Sequence, residues 1–210
     1  MTGREKRDII IYEIIVPSLY VLYEVDYDNI RIGVSERNIC ARLAHHMENI
    51  MRSCNHRDLF EGYYADVEYN RMGNGDLKCY ENSEHLPQYM VSDLLIQSRG
   101  EPNNLLAVEM KRKSNYVNRA KDRERLEALV SPVPVHNTLQ CVYGTVVGAF
   151  IIYSTEKVIV EFYENVNGHG IQTGIMEFEC RLEGTRFLTL EKTSEKWKHL
   201  LVEQKDLLPF

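Results

Sequence analysis

The sequence predicts an α/β chain, a central mixed β-sheet flanked by helices. Three observations carry this. Apolar residues recur at helical spacing over 35–51. Three segments, 63–70, 90–97 and 104–111, have strand character, and a turn-rich loop separates the last two. A charged helical stretch and two further strands then follow, and strands interleaved with helices in this way build a mixed sheet covered by helices. With 210 residues, 44% of them apolar, a single domain can bury roughly 70% of the surface its unfolded chain exposes, so the core needs no disulfide or metal staple.

Taken in order, the run 9–25 is apolar but interrupted by Glu13, Pro17 and Glu24. A membrane span wants about 20 apolar residues, and no small-residue cleavage site follows the charged start. The run therefore reads as a buried helix, kinked or begun at Pro17. Over 35–51, Ile39, Leu43, Met47 and Ile50 mark one helix face and Ser35 is a suitable N-cap. In 63–70, Ala65, Val67 and Tyr69 alternate with Asp66, Glu68 and Asn70, the period of a half-buried strand, ending in the turn-forming Gly73-Asn74-Gly75. Strands are expected at 90–97 and 104–111, joined by a loop of Ser, Gly, Pro and Asn composition. A basic helix is expected over 117–130, closed by Ser131-Pro132, then strands over 141–153 and 158–163, then a tail helix over 191–207 around Trp197, Leu200 and Leu201. Gly168-His169-Gly170 reads as a turn. No repeat or linker marks a boundary, so one domain is expected over 1–210.

The balance of 25 basic against 31 acidic residues, net charge -6, excludes a protein that coats nucleic acid by bulk charge. The five cysteines are odd in number and show no CxxC, as expected of thiols in a reducing cytoplasm. The seven histidines form no HExxH or HxH pair, which disfavours a zinc hydrolase, and the glycine pairs match no nucleotide-binding loop.

The chemistry is concentrated in the expected hairpin. Glu109 and Lys111 are two apart and share one face of a strand whose other face carries Leu106, Val108 and Met110. Asp93 is a carboxylate in the apolar run Val91 to Ile96. A loop centred near Glu101 sets Asp93 across from Glu109, about 5 Å apart at the Cβ atoms. Two carboxylates about 4 Å apart repel by roughly 4 kcal/mol at an effective dielectric of 20, and a divalent cation, Mg2+ or Mn2+, relieves that repulsion and carries waters that become nucleophiles. Lys111 then orients or deprotonates the water or stabilises a phosphate; alternatively it is a salt-bridge partner of Asp93 or Glu109. Glu36 lies within about 20° of Leu43 on the helical wheel and points inward, either as a third metal carboxylate or as a first-turn acid favoured by the helix dipole.

Asp93, a loop, then Glu109-Met110-Lys111, preceded by an inward helical Glu36, resembles the PD-(D/E)XK nuclease superfamily. Its core runs helix, three strands, helix, strand. The resemblance covers roughly residues 35–153 and departs at Ser92, where the motif has Pro. The segments around Ser35-Glu36-Arg37, Arg42-Leu43-Ala44, 66–71, 92–96 and 104–111 are further similar to a family of uncharacterised microbial proteins of this superfamily. The resemblance implies a restriction-endonuclease-like core over 35–153; the chain adds N-terminal (1–34) and C-terminal (154–210) extensions with helical segments. It also implies metal-dependent phosphodiester hydrolysis, with Asp93 and Glu109 holding the metal, Glu36 completing its shell and Lys111 acting on the water.

Two further features bear on a substrate. Asp66, Glu68 and Asn70 share a strand face that ends at Arg71, a phosphate clamp or part of a solvated edge. Arg112, Lys113, Arg119, Lys121, Arg123 and Arg125 follow Lys111 as a basic run, either phosphate-facing or a solvated helix face. The expected activity is a nuclease acting on DNA ahead of RNA; a homodimer is compatible with the sequence. A catalytically silent binding module on the same fold and an interaction protein with a structural hairpin are the alternatives.

Overall fold

The computed structural model describes residues 1–68, 79–81, 87–89, 91–99, 104–131, 144–183 and 185–194. The expected turn at 73–75, Asn70, Arg71, Cys141 and the bulk of the expected tail helix lie outside these residues.

The chain starts in helix. Thr2 and Glu5 form a reciprocal cap on α1 (Gly3–Ile9), which runs through a π-helical turn (Ile10–Ile15) into α2 (Val16–Val25). Pro17 explains the irregularity: its ring cannot donate a helical bond, and the wider turn before it lets Val16 N–H reach back to the Ile11 carbonyl. Ile10, Ile11, Ile14, Ile15, Leu19 and Leu22 are fully buried, so the apolar run is core. Among the described residues no helix is long and apolar enough to cross a membrane. After α3 (Tyr27–Ile32), Gly33 turns the chain in the left-handed region at φ 83, where a side chain would also strike the Arg112 guanidinium. Ser35 caps α4 (Glu36–Ser53) by accepting from Asn38 N–H, and Ile39, Leu43 and Met47 are buried as the spacing predicts.

A short 3-10 turn (Arg57–Phe60) leads into β1 (Tyr63–Val67). β2 (Cys79–Glu81) and β3 (Pro87–Tyr89) pair only with each other. β4 (Leu94–Ser98), β5 (Asn104–Arg112), α5 (Arg119–Val130), β6 (Val147–Tyr153), β7 (Lys157–Val166), β8 (His169–Glu183) and β9 (Thr185–Thr193) complete the order. The seven-stranded sheet is arranged β1-β4-β5-β6-β7-β8-β9. Among the described strands only β5 and β6 are parallel, and α5 is the crossover that a parallel pair requires. Leu106, Val108 and Met110 of β5 pack toward the core shared with α2 and α4, while Ala107 packs with Leu126 and Leu129 of α5 on the opposite face. The molecule is thus a mixed α/β fold, a mostly antiparallel sheet with helices on both faces.

Three expectations are corrected. Beyond the expected strand at 158–163, which lies within β7, the C-terminal extension continues as strand where no strand was expected: β8 and β9 extend the same sheet. Residues 191–193 belong to β9, held by pairing with β8 through Met176↔Thr193 and Glu177↔Lys192. The turn after β7 is Asn167-Gly168, both at positive φ, and His169 and Gly170 already belong to β8. Gly170 serves a different purpose from a turn glycine. A Cβ there would lie 1.8 Å from the Glu127 backbone carbonyl oxygen of α5, so β8 reaches the helix only because the side chain is missing. Gly170→Ala should destabilise the fold by about 3 kcal/mol through overpacking, read as a lower urea midpoint at unchanged slope; a wild-type midpoint would show that helix and strand part without strain.

Candidate active site

The site is assembled where β4 begins and β5 ends. β4 and β5 pair Leu94↔Val108 and Leu95↔Ala107; one step further along this register sets Asp93 opposite Glu109. Asp93 lies just before the ladder. Its carbonyl accepts from Glu68 N–H at 3.2 Å and from the Cys40 thiol at 3.3 Å. Its carboxylate Oδ2 takes the Met110 N–H at 2.7 Å. The Asp93 side chain is therefore fixed on β5 by the backbone next to Glu109.

Glu109 and Lys111 both face α5, as their spacing on the strand requires. Glu109 is 1% exposed and its Oε1 accepts from Arg125 Nη1 at 2.7 Å. Lys111 Nζ lies 3.6 Å from Asp122 Oδ2, and Asp122 Oδ1 lies 3.7 Å from Arg125 Nη2. Asp122 and Arg125 complete the cluster from the helix; sequence reasoning missed Asp122 as a site residue and read Arg125 only as part of the basic run, not as the partner of Glu109. A signal was present: Asp122, Leu126 and Leu129 recur at helical spacing, which places Asp122 in the stripe that meets the sheet.

Three carboxylates thus meet two cations in a dry setting. Burial pushes the Glu109 carboxyl up to about 8; Asp93 and Asp122 add to the rise and Arg125 opposes it. Asp93 is also raised, by burial first, against the pull of the Met110 N–H and Lys111. For Lys111, burial works to lower the ammonium, but Asp93, Asp122, Glu36 and Glu109 together outweigh it and hold it above the ordinary lysine value. Lys111 is accordingly a fixed positive charge rather than a base. Near neutral pH the excess negative charge is relieved by a proton on Glu109.

The donor set suits a hard divalent cation held by few protein ligands. Asp93 and Glu109 each have one oxygen in a described hydrogen bond, Oδ2 and Oε1, and buried Asp122 Oδ2 has no hydrogen-bond partner among the described residues. Among those residues no three His, Cys, Asp or Glu side chains converge as a metal cage would require. Mg2+ and Mn2+ sites with two carboxylates and several waters need no such cage.

Glu36 is engaged elsewhere. Its Oε1 accepts from Arg112 N–H at 2.8 Å, and both its oxygens accept from Asn115 Nδ2 at 3.0 Å. It ties α4 to the segment after β5 and is not gathered with Asp93 and Glu109. The basic run also divides. Arg112 donates to the Val34 carbonyl; Arg119 donates to the carbonyls of Arg112, Lys113 and Asn115; Arg123 holds Glu161 with two bonds of 2.7 and 2.8 Å. These arginines join elements of the fold. Lys113 and Lys121 are exposed. On β1, Asp66 accepts from Gln97 and Arg99, and the neighbouring Glu68 pairs with Arg37.

No family model, curated protein or solved structure matches the chain.

Proposed function

We propose that the chain is a divalent-metal-dependent nuclease of the PD-(D/E)XK type, cleaving phosphodiester bonds of DNA ahead of RNA. The observation that carries this reading is the joining of Asp93 and Glu109 through the β5 backbone, with Lys111 on the same strand face as Glu109 and three carboxyl groups set against two cations. The element order from α4 to β6, setting aside the separate β2-β3 ribbon, is helix, three strands, helix, strand, and supports the restriction-endonuclease-like core expected over 35–153. In this reading Asp93 and Glu109 hold Mg2+ or Mn2+, which supplies a water of lowered pKa and neutralises phosphate charge. Lys111 lies beside them as a cation directed at the scissile phosphate. Asp122 holds Lys111 in place, and Arg125 orients Glu109.

A catalytically silent module is favoured by one specific observation, the contact of Arg125 Nη1 with Glu109 Oε1 at 2.7 Å, which gives this buried carboxyl group a partner within the fold. Thermal denaturation separates the two. Mn2+ at 100 times its dissociation constant should stabilise the fold by about 2.7 kcal/mol, a midpoint rise of about 5–10 °C for a chain of this size. Asp93→Ala should remove that rise. A midpoint indifferent to millimolar Mn2+, or one raised equally in Asp93→Ala, would overturn the metal site and leave the silent module.

A further inference from the structure

The segment between β5 and α5 holds an exposed aromatic ring on an ordered scaffold. Asn115 is bonded on both sides: its amide nitrogen donates to Glu36 and its Oδ1 accepts from Val117 N–H at 3.1 Å. Lys113 N–H is bound to the Tyr153 carbonyl at 2.7 Å. The Arg119 guanidinium donates to the carbonyls of Lys113 and Asn115 in this segment and of Arg112 at the end of β5, and lies 4.4 Å from the Tyr116 ring centroid. Yet Tyr116 is 73% and Val117 68% exposed. The segment's bonds are made by its backbone, Asn115 and Arg119, so the fold gains little from these two apolar side chains. What they offer is a ring with a cation on one face, five residues along the chain from Lys111.

The flanking charge decides what such a ring would contact. Lys113 and Lys121 are exposed, and among the described residues their ammonium groups make no ion pair or hydrogen bond. Two phosphate contacts give a salt slope of only about -1.8 on duplex DNA, little help to a protein of net charge -6. Stacking on a base contributes about 1–3 kcal/mol and so dominates. In a duplex interior both faces of each base are covered by its neighbours, whereas a single strand can turn a base face toward the ring. We propose that Tyr116, backed by Arg119, stacks on an unpaired base, and that the site acts on single-stranded nucleic acid; this rests on the nuclease reading above.

Binding is measured in EDTA, so that no cleavage intervenes, with the full chain and a labelled twelve-nucleotide strand of DNA or RNA, each alone and annealed to its complement. The wild type should bind the single strand at least tenfold more tightly than the duplex. Tyr116→Ala should weaken single-strand binding about 5- to 150-fold, the equivalent of about 1–3 kcal/mol for one stacked base, and leave duplex binding and the thermal midpoint unchanged. Tyr116→Phe should bind as wild type does. Single-strand affinity untouched by Tyr116→Ala, or lost equally on both forms, would overturn the stacking role while leaving the nuclease reading in place. No binding to strand or duplex of either kind would overturn both.

Discussion

Lys111→Met is expected to lower the cleavage rate by about 10²–10³, the usual loss when one preorganised charge or donor at a reacting phosphate or carbonyl is removed. The reason lies in its surroundings. Acidic neighbours, Asp93 and Asp122 foremost, keep the ammonium charged despite its partial burial, so its contribution is a fixed field at the phosphate, ready before the reaction begins. Removing it leaves Asp93, Glu109 and Asp122 facing Arg125 alone. The site becomes more negative, and Mn2+ binding should be retained or tightened while turnover falls. That opposed pair of changes is specific to a lysine that serves the transition state rather than the metal. Measuring the single-turnover rate beside the Mn2+-induced midpoint shift checks it; wild-type turnover in Lys111→Met, or loss of the Mn2+ shift, would assign the lysine another role.

The second large effect is on pH dependence. Glu109 has its carboxyl raised from 4.5 to about 8 in the fold, so between these values the folded protein holds a proton that the unfolded chain has released. The metal-free fold is therefore most favoured at the low end of this window as far as this group is concerned. It loses stability as pH rises, with a slope approaching about 1.4 kcal/mol per pH unit, until the loss levels off above about 8. Mn2+ competes with that proton. Below about pH 8 its apparent affinity should rise close to tenfold per pH unit, and saturating Mn2+ should flatten the stability slope. Urea titrations from pH 5.5 to 8.5 with and without Mn2+, repeated on Glu109→Gln, measure both. A metal-free stability that stays level across this range in the wild type, or a slope that persists in Glu109→Gln, would show that the proton sits elsewhere.

The parts of this fold legible in the sequence are those where a short periodic pattern has one reading. Ile39, Leu43 and Met47 define the buried face of α4 whatever they pack against, and Ala65, Asp66 and Val67 alternate in β1, which ends before Glu68, whose φ of 50 leaves the extended region. The β4–β5 register was legible because a loop of Ser, Gly, Pro and Asn composition separates the two apolar runs, and centring it near Glu101 sets Leu94 against Val108, the pairing the strands make. β8 was missed although Met176 and Phe178, both fully buried, alternate with Glu177 and Glu179. Gly170 and Gly174 break the pattern before it starts, and a strand of this kind is defined by partners on both sides. β9 was missed as a whole, and its last residues were read as helix because the apolar residues beyond it, Trp197, Leu200 and Leu201, suggest a helix that local spacing cannot stop. The site divides the same way. Glu109 and Lys111 share a face by strand geometry alone. The ties between Arg119 and three carbonyls, between Arg123 and Glu161, and between Glu36 and Asn115 depend on contacts between elements that charge counting along one helix does not reveal.

Helix α5 touches four successive strands: Arg125 and Asp122 meet β5, Leu126 lies against Gly148 of β6, Arg123 grips Glu161 of β7, and Gly170 of β8 abuts Glu127 while its N–H donates to Ser131. Amide hydrogens across β5 to β8 should therefore exchange as one cooperative unit, because lifting the helix breaks all of these contacts at once. The same event would uncover Glu109, whose exclusion from water holds its proton. Local breathing of the helix and the charge state of the buried carboxylate are then one equilibrium, and a change made at the far end, on β8, is felt as a loss of protection at Glu109.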